Sequence, residues 1–292
     1  MFTYDVGKFK SLFTELITRN IASDAANWLL TQAANTASAA TFNNAFAALP
    51  RKTGKNPVNA NTEIESGLSA LRTGFSTRGW SVDRLSRVWL LLTLDASDQR
   101  SYERTIENLY LAAELNELVA LYSALPLLAY PEIWVNRCTE GNRSNLGVVL
   151  EAIMYNNPYP SEYLSESAWN QLVLKALFTE KRLELITGID ERANVALAHA
   201  LIDYARERLA AGRNTDPMLW RLIGRFIDDG ILHDIKVVLP RLGLHEKEAV
   251  ALAIHESDFL PAKELLETAP LQAMAGKKTN WNEFISDTKN KI

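Results

Sequence analysis

The longest uninterrupted helical pattern in the chain runs from Asn145 to Phe226, and it constrains the fold more than any other feature. Apolar residues recur in it at intervals of three and four, which places them on one face of an α-helix. The pattern divides into two helical hairpins, residues 145–180 and 190–228, that resemble each other at a period of roughly 50 residues. Hairpins that repeat in this way stack into solenoids of the HEAT and armadillo type. We therefore predict an all-α fold, built as an irregular α-solenoid of stacked helical hairpins.

Helical spacing extends over the rest of the chain, and no long segment alternates with the period of a β-strand. We predict one helical-repeat domain over residues 1–292. Asp190 is a residue type that caps helix N-termini, and Gly212 is predicted to end a helix in the left-handed conformation. Two segments lack apolar periodicity. Residues 49–62 are predicted to form a mobile loop, and a polar C-terminal tail is predicted from residue 276.

Composition argues against several classes of function. The formal net charge is -4 at pH 7, whereas proteins that bind nucleic acid through its phosphates concentrate Lys and Arg. The longest apolar stretches, residues 88–94 and 118–130, are shorter than the roughly 18 residues that cross a bilayer. Cys138 is the single cysteine. The N-terminal residues lack the features of a secretory signal. We predict a cytoplasmic protein that binds no nucleic acid and does not insert into a membrane.

One polar helix face contains the candidates for catalysis. His199, Asp203 and Glu207 follow one another at intervals of four and so lie on the same side of a predicted helix. An imidazole beside two carboxylates has the groups for general acid–base chemistry or for holding a divalent cation. The same pattern is typical of a solvent-exposed face with ion pairs, and we favour this interpretation. No phosphate-binding loop, dinucleotide motif or metalloprotease motif occurs in the chain, so we predict no cofactor and no metal.

Two tryptophan-bearing helices are candidates for a binding surface. On the first, Trp169 lies in a nearly continuous apolar surface, and Asn170 falls inside the apolar sector, where it needs hydrogen-bond partners. Lys175 on this helix can bind an anion or extend to water. Trp220 lies on the second helix, which is predicted over residues 217–227. We predict that these residues contact a ligand or a partner.

Arg221 follows Trp220 on the second helix. Its guanidinium group can bind a carboxylate or phosphate of a ligand. It can also pair with Asp203 or Glu207 of the preceding helix, and this pairing is the favoured interpretation.

The link inside the first hairpin has the sequence YNNPYPSEY over residues 155–163. Its two prolines stiffen the chain, and its Asn156, Asn157 and Tyr159 offer amide and aromatic groups. Rigid side chains of this kind are good contact groups, because they lose little entropy on binding. The alternative, which we favour, is a structural loop in which the asparagines cap backbone groups.

Three motifs give the chain a family resemblance: WNQLVLKALF at residues 169–178, DYARERLAAGR at 203–213 and LWRLIG at 219–224. In these motifs the chain resembles the EboA-domain family, bacterial proteins from a gene cluster of secondary metabolism. The resemblance covers the middle and later part of the chain and hardly touches the first hundred residues. It supplies no catalytic residues. Arg208, in the second motif, joins the predicted contact residues.

The resemblance implies a cytosolic protein encoded beside a UbiA-like prenyltransferase, a TatD-like hydrolase and a sugar-isomerase-like protein. These proteins or a small-molecule ligand are the implied partners. We interpret the chain as a noncatalytic helical scaffold or binding protein that supports biosynthesis or export of a secondary metabolite. It would contact a partner enzyme or a small hydrophobic ligand in a groove between the two hairpins. The alternative is an enzyme that acts on a prenylated or aromatic intermediate through the face of His199, Asp203 and Glu207.

Overall fold

The computed structural model describes residues 1–34, 39–268, 270–274, 276 and 280–289, and this part of the chain consists of α-helices joined by loops and short 3-10 turns. It contains two isolated β-bridges and no β-strand, which confirms the all-α prediction. None of its helices combines the length and the apolar character that crossing a bilayer requires. The α-helices, in chain order, are α1 Val6–Asn20, α2 Ser23–Ala34, α3 Ala39–Thr53, α4 Thr62–Leu71, α5 Val82–Leu91, α6 Gln99–Ala112, α7 Leu115–Ala124, α8 Val135–Asn142, α9 Gly147–Met154, α10 Tyr159–Tyr163, α11 Glu166–Phe178, α12 Val195–Ala210, α13 Leu219–Ile223, α14 Asp229–Val238, α15 Leu244–Glu256, α16 Leu260–Leu266 and α17 Trp281–Lys289.

The helices group into two compact units. Unit 1 consists of residues 1–165 together with Leu185–Thr187, and unit 2 consists of residues 166–184 and 188–292. The division falls inside the first predicted hairpin, since α9 belongs to unit 1 and α11 to unit 2. The solenoid arrangement and the single domain therefore stay predictions.

Helix α5 forms the centre of unit 1. Nine of its ten residues are buried, and it packs against α1, α3 and α7. Two of the buried residues are charged: Arg87 Nη1 lies 2.7 Å from Asp83 Oδ2, and Arg87 Nε donates to the Phe46 carbonyl oxygen at 3.2 Å. A buried guanidinium without a carboxylate would be strongly destabilising. Asp83, assisted by Glu117 Oε1 at 3.9 Å from Arg87 Nη2, therefore holds Arg87 inside unit 1.

The loop predicted over residues 49–62 is shorter than expected. Helix α3 continues through Pro50 to Thr53, because Leu49 is fully buried and the Thr53 side chain donates to the Leu49 carbonyl oxygen at 3.0 Å. The remaining loop is held at Val58, whose amide donates to the carbonyl oxygen of Trp80 at 2.8 Å. The mobility of this loop stays a prediction.

Unit 2 is centred on α12, α13 and α15. Helix α12 packs against α13 and α14, and α13 packs against α15. The approach of the turn after α13 to α15 requires a glycine, since a Cβ on Gly224 would lie 2.7 Å from the Ala253 carbonyl oxygen. Gly212 follows α12 with a φ of 69°, as predicted. The predicted cap Asp190 is wrong: Asn194 caps α12, because turns over residues 187–192 delay the start of the helix.

The predicted C-terminal tail from residue 276 contains α17. The Asn280 side chain accepts a hydrogen bond from the Glu283 amide at 3.0 Å and so caps this helix. Trp281 Nε1 donates to Glu256 Oε2 at 2.7 Å, which anchors α17 to the end of α15. Residues 277–279 and 290–292 of the tail lie outside the described residues.

Candidate functional site

Unit 2 contains a cleft of about 860 Å³, which we call the unit-2 cleft. Its walls come from the C-terminal ends of α11 and α12, the turn after α11, the loop between α12 and α13, the start of α15, and α17. A concave site of this volume suits a small organic molecule.

One part of the cleft is apolar and aromatic. Tyr204, Met218, Phe284 and Ile285 contribute to its lining. The imidazole of His245 stacks on the Phe284 ring, with 4.3 Å between the ring centroids and 6° between the ring planes. Flat apolar surfaces of this kind bind aromatic or hydrocarbon groups by burial and by ring stacking.

Two helices end at the cleft with the same hydrogen-bond pattern. After α11, the Lys181 amide donates to the Ala176 carbonyl oxygen at 2.7 Å, and Glu180 has a φ of 54°. After α12, the Arg213 amide donates to the Arg208 carbonyl oxygen at 2.9 Å. This pattern is the Schellman motif, which normally places glycine in the left-handed position. The left-handed backbone conformation of Glu180 costs about 1 kcal/mol or more relative to glycine. It places a charged residue in the lining of the cleft.

A buried carboxylate secures the loop between α12 and α13. Glu246 is 5% exposed, and its Oε1 accepts hydrogen bonds from the Thr215 amide at 2.8 Å and from the Thr215 hydroxyl at 2.5 Å. Its Oε2 accepts from the Gly243 amide at 2.8 Å. Because hydrogen bonds to a charged acceptor are strong, Glu246 holds the loop that carries Met218 against the start of α15.

Two side chains that line the cleft, Asp216 and Tyr204, are partly or fully shielded from water. Burial raises the pKa of the Asp216 carboxyl group, although the Met218 amide, which donates to Asp216 Oδ1 at 2.8 Å, lowers it. Burial also raises the pKa of Tyr204. Both shifts have the same cause, since removal from water penalises the charged form of a group.

The arginines of the cleft differ in their partners. Arg182 is paired with Glu184, with 2.8 Å between Arg182 Nε and Glu184 Oε1. Arg208 Nε donates to the Asn214 carbonyl oxygen at 2.8 Å, and its guanidinium carbon lies 5.7 Å from the centroid of the Tyr204 ring. In the part of the chain that the structure describes, Arg208 makes no ion pair with a carboxylate.

The three residues predicted from the YNNPYPSEY link serve the structure of unit 1. Asn156 has a φ of 50°, and its amide donates to the Leu185 carbonyl oxygen at 2.8 Å. Asn157 is buried, and its Nδ2 donates to the Tyr122 carbonyl oxygen at 3.2 Å. Tyr159 is fully buried, and its hydroxyl donates to a backbone carbonyl oxygen at 2.5 Å. Asn157 bonds backbone groups, as the favoured interpretation expects, but residues 159–163 form the short helix α10 and not a loop.

The contact residues predicted on the two tryptophan-bearing helices lie in unit 2 but outside the unit-2 cleft. Trp169 and Trp220 are fully buried, and the indole nitrogen of each has no hydrogen-bond partner among the described residues. Asn170 exchanges side-chain hydrogen bonds with Asn194 at 2.8 and 3.2 Å, which supplies the partners that its position requires. Lys175 is half-buried on α11. The structure does not bring these residues together at a binding surface.

Arg221 has a different partner from the one that we favoured. Its Nε lies 2.7 Å from Asp190 Oδ1, and its Nη2 contacts the other carboxylate oxygen. The pairing with Asp203 or Glu207 is wrong, because the turn before α12 brings Asp190 to Arg221. Arg221 and Arg225 line a smaller, polar cleft of about 240 Å³.

The candidate catalytic face is exposed and lies outside the unit-2 cleft. His199 Nε2 is 3.4 Å from Asp228 Oδ2, and Asp203 is 3.8 Å from Arg206 Nη1. Glu207 is also exposed. No group of three or more His, Cys, Asp or Glu side chains is arranged to hold a metal ion in the described part of the chain. The arrangement is that of a solvent-exposed face with ion pairs.

Of the predicted contact residues, Arg208 lines the unit-2 cleft. The prediction did not include Met218, His245 or Phe284, which lie far apart along the chain and form no linear motif. The predicted helix end at Gly212 was the available signal, because it places the last turn of α12 and the following loop together.

The model of a protein family, the metabolite traffic protein EboA, matches residues 9–224. No match was found among curated proteins or among solved structures. The family match begins in α1, so the expectation that the first hundred residues fall outside it is wrong. It ends at Gly224, which leaves the α15 and α17 walls of the unit-2 cleft beyond it. Because the match covers well over half of the chain, this protein belongs to the EboA family.

Proposed function

We propose that this EboA-family protein is a noncatalytic binding protein for a small hydrophobic or amphipathic metabolite, and that the metabolite binds in the unit-2 cleft. The observation that supports this most directly is a cleft of about 860 Å³ that combines an aromatic and apolar lining with a few polar and charged groups. The family description, a metabolite traffic protein, agrees with this role.

The proposal moves the ligand from the expected groove between two hairpins to a cleft within unit 2. Trp169 and Trp220, the main contact candidates for that groove, are fully buried. Tyr204 and Phe284 instead offer aromatic surface at a concave site.

Binding explains the cleft better than catalysis does. The proposed enzyme alternative depends on His199, Asp203 and Glu207, which lie on an exposed face away from the cleft. The histidine of the cleft, His245, is stacked on Phe284, and its Nδ1 lies 3.4 Å from Glu248 Oε2. These contacts hold the imidazole in the cleft wall.

We retain the proposal that this protein is cytoplasmic and that its partners are products of the same gene cluster, namely the prenyltransferase-like, TatD-like and sugar-isomerase-like proteins. They would deliver the metabolite to this protein or receive it. Recovery of one of them with the tagged chain supports this part of the proposal. Failure to recover any of the three contradicts it and leaves ligand binding to be judged by itself.

The binding function is tested with N-phenyl-1-naphthylamine, a neutral aromatic probe whose fluorescence rises in apolar sites. We expect saturable binding to the native chain. Ile285→Asp places a charge on the apolar wall and is expected to weaken binding about tenfold, which corresponds to about 1.4 kcal/mol. The matched control is Leu260→Asp, because Leu260 is 73% exposed and lies outside the cleft.

Circular dichroism and thermal unfolding show whether both variants remain folded. A native chain that does not bind the probe contradicts the proposal. So does an equal loss of affinity in the two folded variants.

A further inference from the structure

Arg208 lines the unit-2 cleft and forms no ion pair with a carboxylate of the described residues. The other arginine, Arg182, is bound to Glu184. Arg208 donates instead to the carbonyl oxygen of Asn214 and makes no ion pair in the part of the chain that the structure describes. A guanidinium group that lines a cleft without an ionic partner is suited to pair with a ligand of opposite charge.

The Arg208 side chain is held in place before any ligand binds. Its Nε–H bond to Asn214 uses one of the five guanidinium N–H groups. Its guanidinium group lies against the ring of Tyr204, which in turn packs edge to face on Phe178 with 5.0 Å between ring centroids. A side chain that is already ordered loses less entropy on binding, and the planar guanidinium matches the geometry of a carboxylate.

We propose that the ligand of the unit-2 cleft is an organic anion. Its carboxylate or similar singly charged acidic group binds Arg208, and its apolar or aromatic body lies against Tyr204, Met218 and Phe284. This inference rests on the proposed binding function of the cleft.

The other charges of the cleft favour a singly charged ligand with a large apolar part. The carboxylates Glu180, Glu184 and Asp216 line the same cleft together with the cations Lys181 and Arg182. The charges are therefore mixed and do not form the excess of positive charge that a compact dianion such as free phosphate requires. The volume of about 860 Å³ also far exceeds what an inorganic ion needs. A carboxylate at one end of a hydrophobic molecule places its charge at Arg208 and leaves the rest of the cleft to the apolar body.

Two fluorescent probes with the same aromatic body separate the two proposals. N-phenyl-1-naphthylamine is neutral, and 1-anilinonaphthalene-8-sulfonate adds one anionic group to the same ring system. We expect the sulfonate probe to bind the native chain more tightly than the neutral probe does. Arg208→Gln removes a charge-assisted contact, for which about tenfold weaker binding of the sulfonate probe is expected. Binding of the neutral probe should stay within about twofold.

The matched control is Arg241→Gln, which makes the same change of charge at an exposed residue outside the cleft. It should leave the binding of both probes unchanged. Raising NaCl to about 0.5 M should lower the affinity for the sulfonate probe more than the affinity for the neutral probe, because salt screens an exposed ionic contact. Thermal unfolding of each variant shows that the loss of binding does not come from unfolding.

The outcomes distinguish the anion inference from the binding function. If the neutral probe binds and Arg208→Gln has no effect on the sulfonate probe, the anion inference is overturned and the binding function stands. The same holds if Arg208→Gln weakens both probes equally, since the residue then acts by shaping the cleft. If neither probe binds the native chain, both proposals are overturned.

Discussion

Glu246→Ala is expected to release the loop that carries Thr215 from the wall of the unit-2 cleft. Glu246 Oε1 accepts two hydrogen bonds from Thr215, at 2.8 and 2.5 Å, and Thr215 is 6% exposed. A hydrogen bond to a charged group contributes about 1.5 to 3 kcal/mol, and these two share one acceptor. Glu246 also accepts from the amide of Gly243, but Gly243 is an exposed residue, so its amide can donate to water when the carboxylate is removed. We expect the free energy of unfolding to fall by about 3 kcal/mol.

Two further variants test this magnitude. Glu246→Gln keeps a carbonyl oxygen that can accept from the Thr215 amide but loses the charge, so a smaller loss of about 1 kcal/mol is expected. Glu264→Ala removes an exposed glutamate of α16 and should change the free energy of unfolding by less than about 0.5 kcal/mol.

The assay combines urea denaturation with hydrogen exchange at the Thr215 amide. Urea denaturation gives the free energy of unfolding, and exchange reports the Thr215 hydrogen bond directly. In Glu246→Ala this amide should lose its protection while amides in the middle of α12 keep theirs. An alanine variant within about 1 kcal/mol of the native chain, with Thr215 equally protected, would refute the reasoning.

Two more predictions concern unit 2. Gly224→Ala forces a Cβ onto Ala253, and the overpacking should cost about 1 to 3 kcal/mol, more than the gain of up to about 1 kcal/mol in helix propensity. The control Gly230→Ala places a Cβ that meets no backbone, and it should leave the free energy of unfolding unchanged or raise it in the same urea titration. Folding raises the pKa of Asp216, so the ionised carboxylate lowers the free energy of unfolding above that pKa. This loss of stability disappears as the pH falls and the group becomes protonated. Asp216→Asn should therefore raise the melting temperature at pH 7, with a difference that shrinks in acid, and a constant difference across pH would contradict this account.

Spacing and residue type were sufficient for the helical class and for the end of α12. Gly212 illustrates this, because only a residue tolerant of a positive φ fits after the last turn of α12, and glycine there is a local signal. The ion pair between Arg87 and Asp83 could not be inferred in the same way. Its stability depends on the low exposure that surrounding helices impose, and an intrahelical spacing of four is equally common on exposed faces.

The unit-2 cleft could not be predicted from the sequence, for a related reason. Arg208 and Phe284 are far apart in sequence, and α15 and α17 complete the cleft from outside the matched family segment. The predicted contacts Trp169 and Trp220 are large and apolar, which fits a core residue as well as it fits a ligand contact.

The sequence by itself determined that this chain is helical, where α12 ends and which family it joins, because periodicity, capping chemistry and motifs act within one or two turns of a helix. The tertiary structure alone decided which aromatic residues are buried and which line a cleft. It also decided that Arg221 pairs with Asp190 whereas Arg208 pairs with no carboxylate among the described residues. These outcomes depend on distances between helices, and side-chain spacing along one helix does not encode those distances.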